Sequence, residues 1–477
     1  MSCDGKLYRR RQVLGKIEEG CAEPAILAAV DGGLEVKVSP QITPQVDMNE
    51  RDVARISLTK LESIPGEIKG DAQFSAEFKG SGQATVEPSI GKYLEGSSTE
   101  KRTLYKIDAP ELAGSDVLFG STLVGGTSGG EAVVVVAQDS EEYDGFVYYE
   151  LTNGTGLASA EVVTLTKPDA TTATFTSTVA EAPVGFTYSP ISTGAKTMTI
   201  RSEEDGYKKE IYGAMGTWTL NADSSALTTF EFTFNGILSK GFIADMTFSV
   251  AVGQFEQIKG GTSGALATLV RGVDGAGTIE THFVLQDKDV QFNFVAGETV
   301  LNSSNVPVGV IAAATPFYRG AFGDQPMTPG IVFHSTQPPI LQNAQLVLDG
   351  LDGFKPTFAS VSVDAQNEIA VRKNGNMFNG LQEALITGRG PTTSVDPEMM
   401  NESDYDVFNK WFEGTPGSIQ FRIGRGSDFN SLFFYGKKAQ FTNVGDGDRD
   451  SVAIVTAEAM LAGSTDDNDD EYKLVFY

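Results

Sequence analysis

The chain has 477 residues, with 36 Lys and Arg against 63 Asp and Glu, for a formal net charge of −27. That sign argues against a conventional nucleic-acid-binding domain, which needs a basic stripe to exchange counterions with phosphates, and Arg9-Arg10-Arg11 is the only run of three basic residues. No stretch approaches the roughly 20 apolar residues that span a membrane, and at about 100–200 residues per domain the length predicts three or four domains.

Glycine is abundant (53), Thr, Val and Phe are frequent, and long helical patterns are scarce, so the chain reads as mainly β. Its apolar sequence suits several modest cores rather than one large one. The arm 1–24 carries both cysteines, Cys3 and Cys21, without metal-ligand spacing or a nearby histidine. With no secretory signal at the N-terminus, the expected setting is a reducing cytoplasm.

A first β domain is expected over 25–116, resuming over 184–250. In Asp71–Lys79, Ala72, Phe74, Ala76 and Phe78 share one face, and Asp71, Gln73, Ser75, Glu77 and Lys79 the other. A short helix is expected over Pro88–Glu95, stopped by Gly96. Thr229–Asn235 alternates again, with three phenylalanines inward and Glu231, Thr233 and Asn235 outward. Two inserted all-β modules are expected over 117–183 and 251–317. A second β domain is expected over 318–477. Its helix runs over Asp404–Glu413, with Ser403 as N-cap and Gly414 as stop, packing Tyr405, Phe408 and Phe412 on a sheet.

The β domains are copies of each other. Lys92-Tyr93-Leu94-Glu95-Gly96 recurs as Lys410-Trp411-Phe412-Glu413-Gly414. Each is followed by an apolar segment ending in Tyr-Gly, at Tyr212-Gly213 and Tyr435-Gly436, then by a strand, an Asp-bearing turn and a strand. The modules repeat separately: Gly125-Gly126-Thr127-Ser128-Gly129 matches Gly260-Gly261-Thr262-Ser263-Gly264. This glycine-rich turn lacks the lysine and following helix of a phosphate-binding loop, so a hairpin turn is expected.

Catalytic signals are weak. The two histidines, His282 and His334, sit in no metal or nucleophile motif. Asp446, Asp448 and Asp450 have calcium-loop spacing, but the loop glycine is misplaced and Ala457 stands where the loop's glutamate belongs, which favours a hairpin turn. The acidic segment Asp466–Glu471 reads as a solvated loop before a last strand, Tyr472–Tyr477. Neither an enzyme, nor a metal site, nor a cofactor is expected.

With the modules set aside, an ordered set of segments resembles phage tail tube proteins, the major tail proteins of long-tailed phages. These segments are Gln12–Glu18, Gln41–Val46, Phe78–Gly82, Leu385–Pro391, Val395–Glu398, and Lys438–Thr442 through Gly447–Asp450. The resemblance covers most of 12–112, 186–238 and 338–477. It implies two tandem tail-tube-like β-sandwich domains, each with one short helix, in a structural virion protein whose rings stack into a hollow tube. Two domains per chain imply trimeric rings with pseudo-six-fold symmetry, ranked above a true hexamer.

On this reading the partners are further copies of the chain, the tape measure protein and then double-stranded DNA in the lumen without tight binding, and terminator and tail-tip proteins. The modules are available to a host surface, and membrane insertion is not expected. The location is the virion, after assembly in the host bacterial cytoplasm. Candidate lumen residues are Asp71, Gln73, Ser75, Glu77, Glu231 and Thr233. An ordinary solvated outer face would show the same alternation. The segment Met48–Ile64 and the arm Met1–Glu23 are candidates for stacking against the next ring. The alternative is a tail-associated receptor- or carbohydrate-binding protein that uses the modules.

Overall fold

The computed structural model describes residues 10–477 apart from 21, 38–39, 54–58, 141–142, 179–180, 206, 239–241, 255, 286–293, 296, 312–317, 320–322, 325–326, 343, 351–352, 378–379, 425–428 and 466–467. Within them the chain is mainly β, and helical structure is limited to two short α-helices and two single turns. Repeat 1 contains β1 (Arg11–Ile17), β2 (Gln41–Asn49), β3 (Ile64–Glu77), α1 (Gly91–Glu95), β4 (Thr99–Asp108), β5 (Ala182–Pro190), β6 (Met198–Glu204), β7 (Tyr207–Asp223) and β8 (Thr229–Leu238). Repeat 2 contains β9 (Gln345–Leu348), β10 (Ser360–Asp364), β11 (Asn367–Lys373), β12 (Leu381–Arg389), β13 (Thr392–Val395), α2 (Val407–Glu413), β14 (Gly417–Ile423), β15 (Leu432–Arg449), β16 (Val452–Ala462) and β17 (Lys473–Phe476).

The pairings match strand for strand. β1 pairs with β6 as β9 pairs with β14, β6 with β7 as β14 with β15, and β7 with β8 as β15 with β16. The hairpin β2–β3 corresponds to β10 and β11 running back through β12 and β13. β1 therefore belongs to the repeat rather than to a free N-terminal arm, and residues 1–9 of the arm lie outside the described residues.

β7 and β15 are 17 and 18 residues long, and each changes partner along its length. The start of β7 pairs with β6 and its end with β8 and β10; β15 pairs first with β14 and β17, then with β16. The registers slip beside the two Tyr-Gly pairs. Gly213 has φ +56°, a left-handed conformation that side chains disfavour. Gly436 is needed for space instead, since a Cβ there lies 2.8 Å from Leu461 Cδ2.

One apolar cluster takes in both repeats, from Val13 to Phe476. Trp218 meets Tyr472 edge-on at 5.4 Å, and Phe78 lies 5.6 Å from Phe476. The repeats thus share a single large core, contrary to the expectation of modest ones only. The cause is β17, which enters between β15 of its own repeat and β5 of the other and leaves no seam.

Each module has its own core. In module 2 the strands close in a ring, because Phe242–Phe248 pairs with both Gly277–Leu285 and Pro307–Ile311. Module 1 takes Tyr105–Asp108 of β4 into its sheet, paired with Phe146–Tyr149. The boundaries drawn at 117 and 251 therefore fall inside the modules, whose sheets already include Tyr105–Asp108 and Phe242–Phe248. The Gly-Thr-Ser-Gly turns do cradle an anion, but it belongs to the protein. Glu161 accepts from the Thr127 and Ser128 N–H groups at 3.0 and 2.9 Å, and Glu298 from those of Thr262 and Ser263 at 3.0 and 2.8 Å. Module 1 seats Phe119 on Tyr435 with ring centroids 3.8 Å apart, and module 2 packs Val270 with Tyr212 and Ile237. Each module thus covers the Tyr-Gly bend of one repeat.

The helix caps differ in detail from expectation. Asp406, not Ser403, caps α2 by accepting from Asn409 N, because Asn401–Tyr405 first forms a separate turn. Gly414 ends α2 with φ +63°, as expected. Tyr405 is buried and Phe408 packs on the core, but Phe412 does not pack on the sheet and is 74% exposed.

Glu18 ties the segment after β1 to the β7 bend, accepting from Thr197 Oγ1 at 2.6 Å, Thr199 Oγ1 at 2.7 Å and Gly213 N at 2.8 Å. Burial outweighs these bonds and pushes its carboxyl up to about 7. A raised folded-state value favours the protonated form, so stability is full below the unfolded value near 4.5 and falls as pH rises through about 7. Chemical denaturation at pH 5 and pH 8 is predicted to differ by up to about 3 kcal/mol from this group, and Glu18→Gln to remove that part of the slope.

Candidate functional site: a polar sheet face shared by the repeats

The order β2–β3–β8–β7–β10–β13–β16–β15 forms one antiparallel sheet that crosses from repeat 1 to repeat 2 at β7–β10. Residues directly opposite in such a sheet point to the same face. One row reads Ser75, Glu231, Thr219, Asp364, Thr392, Met460, Gln440. A second reads Glu77, Thr229, Asn221, Ser362, Ser394, Glu458, Asn443. These rows contain carboxylates and no Lys or Arg. The row between them turns inward: Ala76, Phe230, Leu220, Val363, Thr393, Ala459, Phe441. Burying Phe230 alone is worth about 1.5–3 kcal/mol, so the alternation fixes which face meets water.

All six sequence-predicted lumen residues lie on this polar face. Gln73 is opposite Thr233, Ser75 is opposite Glu231, and Asp71 and Glu77 extend the same edge of β3. The Gln45 side-chain amide bonds the Asp71 carboxylate, and partial burial raises that carboxyl above its ordinary range. Sequence reasoning missed the half contributed by repeat 2, notably Asp364 and Glu458. The signal was present as short alternations in Ser360–Asp364 and Thr392–Val395, each too brief to stand out beside Asp71–Lys79.

The joint between repeats is held by more than its ladder. Asn367 donates through Nδ2 to Ser97 O at 2.9 Å, past the end of α1, and to Gly216 O of β7 at 3.0 Å. Its backbone N–H bonds Thr217 Oγ1 at 3.1 Å. Arg389 donates from Nε to Glu471 at 2.7 Å and from Nη1 to Ile191 O at 2.9 Å, and pairs with Asp469. Asp469 also accepts from Ser192 N at 2.7 Å. The end of the acidic segment is therefore a strap across the two repeats rather than a solvated loop, because Arg389 supplies a fixed cation. Asp466 and Asp467 lie outside the described residues.

The remaining candidates have structural surroundings. Asp448 and Asp450 belong to the tight β15–β16 hairpin, where Asp450 and Ser451 have φ +52° and +70°. His334 is half-buried, and desolvation lowers its pKa. His282 lies in the strand Gly277–Leu285, with its side chain outside the described residues. Among the described residues, no group of three or more His, Cys, Asp or Glu is placed to hold a metal ion, and no helix is long and apolar enough to cross a membrane. Comparison with known proteins finds no matching family model and no matching curated relative.

Replacing Asn367 by alanine leaves the buried Ser97 and Gly216 carbonyls without this donor. The predicted cost is about 1–3 kcal/mol, read as a lower urea midpoint at unchanged m.

Proposed function

We propose that the chain is a structural virion protein that closes head to tail into rings of three and stacks into a hollow tail tube for DNA ejection. The observation that carries this reading is the polar, acid-biased sheet face running without interruption across both repeats. A chain whose two copies already join edge to edge is built from a unit that repeats by rotation. Three such chains supply six units around an axis, closing a heterologous contact that otherwise runs on as a filament.

A wall of hydroxyls, amides and carboxylates suits duplex DNA that must pass without adhering. Lys and Arg release condensed counterions from phosphates and so bind them; Glu77, Glu231, Asp364 and Glu458 do the opposite. On this reading the tape measure protein fills the lumen before DNA does, and terminator and tail-tip proteins close the tube's ends. The modules lie outside, where they are available to a host surface. The chain assembles in the bacterial cytoplasm and ends in the virion tail.

Tubes assembled from the variant carrying Glu77→Lys, Glu231→Lys, Asp364→Lys and Glu458→Lys are predicted to retain duplex DNA at about 50 mM salt and release it at several-fold higher salt, whereas unmodified tubes retain none. Equal retention by both contradicts a lumen role for this face, and failure of the unmodified chain to form tubes contradicts the reading as a whole.

A further inference from the structure

The sheet that joins the repeats has two open ends. On the described residues, β15 from Asn443 to Arg449 pairs only with β16, and β2 pairs only with β3. The internal β7–β10 ladder shows what each end lacks, since β15 corresponds to β7, and the segment around Val36 corresponds to β10. Both repeats align on the Tyr-Gly bends and on their inward rows, Ala76–Phe230–Leu220 with Val395–Ala457–Val444. Val36 bridges Ala76 as Val361 pairs with Val395. The internal pairs Asn221–Ser362, Ala222–Val361 and Asp223–Ser360 then have the counterparts Gly445–Lys37, Asp446–Val36 and Gly447–Glu35.

Exposure differs between the matching hairpins. Leu381 of the β11–β12 hairpin is 2% exposed because it packs with Tyr212 and Ile237 of repeat 1. At the end of the β2–β3 hairpin, Val46, Met48 and Ile64 are 43%, 55% and 53% exposed. The corresponding seat on repeat 2, beside Lys438, Ala462 and Gly463, is one wall of a cleft of about 1030 Å³ whose other walls include Leu385, Ile386 and Met215. Beside the same edge, Trp411 Nε1 bonds Thr442 O at 3.1 Å and Phe412 stands exposed.

Charge selects a head-to-tail partner. Asp446, Asp448 and Asp450 stand along the β15 end, so two such ends repel each other. The other end offers Lys37, and its hairpin carries exposed Asp47, Glu50 and Glu62 toward a cleft bordered by Lys438. Pro44, which has no N–H to donate, lies outside the paired stretch.

We propose that the cleft and the open β15 edge receive the β2–β3 hairpin of a second copy of this chain, with residues 35–37 pairing against 445–447. This rests on the ring reading above and specifies its chain-to-chain contact. Paired in this register, Lys37 and Gly445 place Cβ atoms within disulfide reach on the polar face, and a Cβ on Gly445 meets only Thr456 Oγ1 at 3.3 Å.

The test uses the full chain with Cys3→Ser and Cys21→Ser, adding Lys37→Cys and Gly445→Cys, followed by concentration, thiol oxidation and a non-reducing gel. Cross-linked species of two and three chains are expected, closing at three, reversed by reductant and at least ~10-fold stronger than with the out-of-register pair Lys37→Cys and Asn443→Cys. Rings visible by electron microscopy without cross-links overturn this joint and leave the ring reading standing. A chain that neither assembles nor cross-links at the highest concentration overturns both. Met48→Asp, at a position already exposed in the single chain, is expected to cut the cross-link yield about tenfold; an unchanged yield overturns the seating of the hairpin in the cleft.

Discussion

The antiparallel ladder from Thr219–Asp364 to Asp223–Ser360 makes the two repeats one object. A sheet edge left in water is a liability, because its unpaired N–H and C=O groups recruit any available strand. Here repeat 1 spends that edge on repeat 2 within the same chain. Once β7 and β10 are paired, their neighbours must align, which sets the polar rows and turns Phe230, Leu220 and Val363 together into the core. Asn367, Arg389 and β17 then secure a junction whose geometry is already fixed.

The same constraint explains the Tyr-Gly bends. A strand that pairs with one set of partners at its start and another at its end must break register between them, and Tyr212-Gly213 and Tyr435-Gly436 mark where β7 and β15 do so. The modules cover these bends, so each insertion adds apolar cover where the repeat is most irregular. The carboxylates divide similarly by place. Glu18, Glu161 and Glu298 are saturated by fixed donors and act within the fold, whereas Glu231 and Glu458 stand on the open face.

The mainly β character, the duplication and one polar face were legible because they rest on local signals: period-2 alternation in Asp71–Lys79, and the Lys-aromatic-Glu-Gly and Tyr-Gly pairs. What was not legible depends on distant partners. No local pattern says that β17 crosses to β5, that β1 belongs to the first repeat, or that Asp469 and Glu471 answer Arg389. Phe412 was placed on the sheet from helical spacing, but the short helix presents it outward instead. Two of the four strands that carry the repeat-2 half of the polar face, β10 and β13, are only five and four residues long, too brief for an alternation to stand out.

The central claim is that this sheet face is the inner wall of a closed ring of three chains. Electron cryomicroscopy of the assembled full chain, averaged down the particle axis and combined with mass per unit length, tests it most directly. The predicted result is a hollow cross-section with three chains and six similar lobes, the row Ser75–Glu231–Thr219–Asp364 facing the lumen and the modules outside. Six chains per ring, or the same row facing outward, contradicts it.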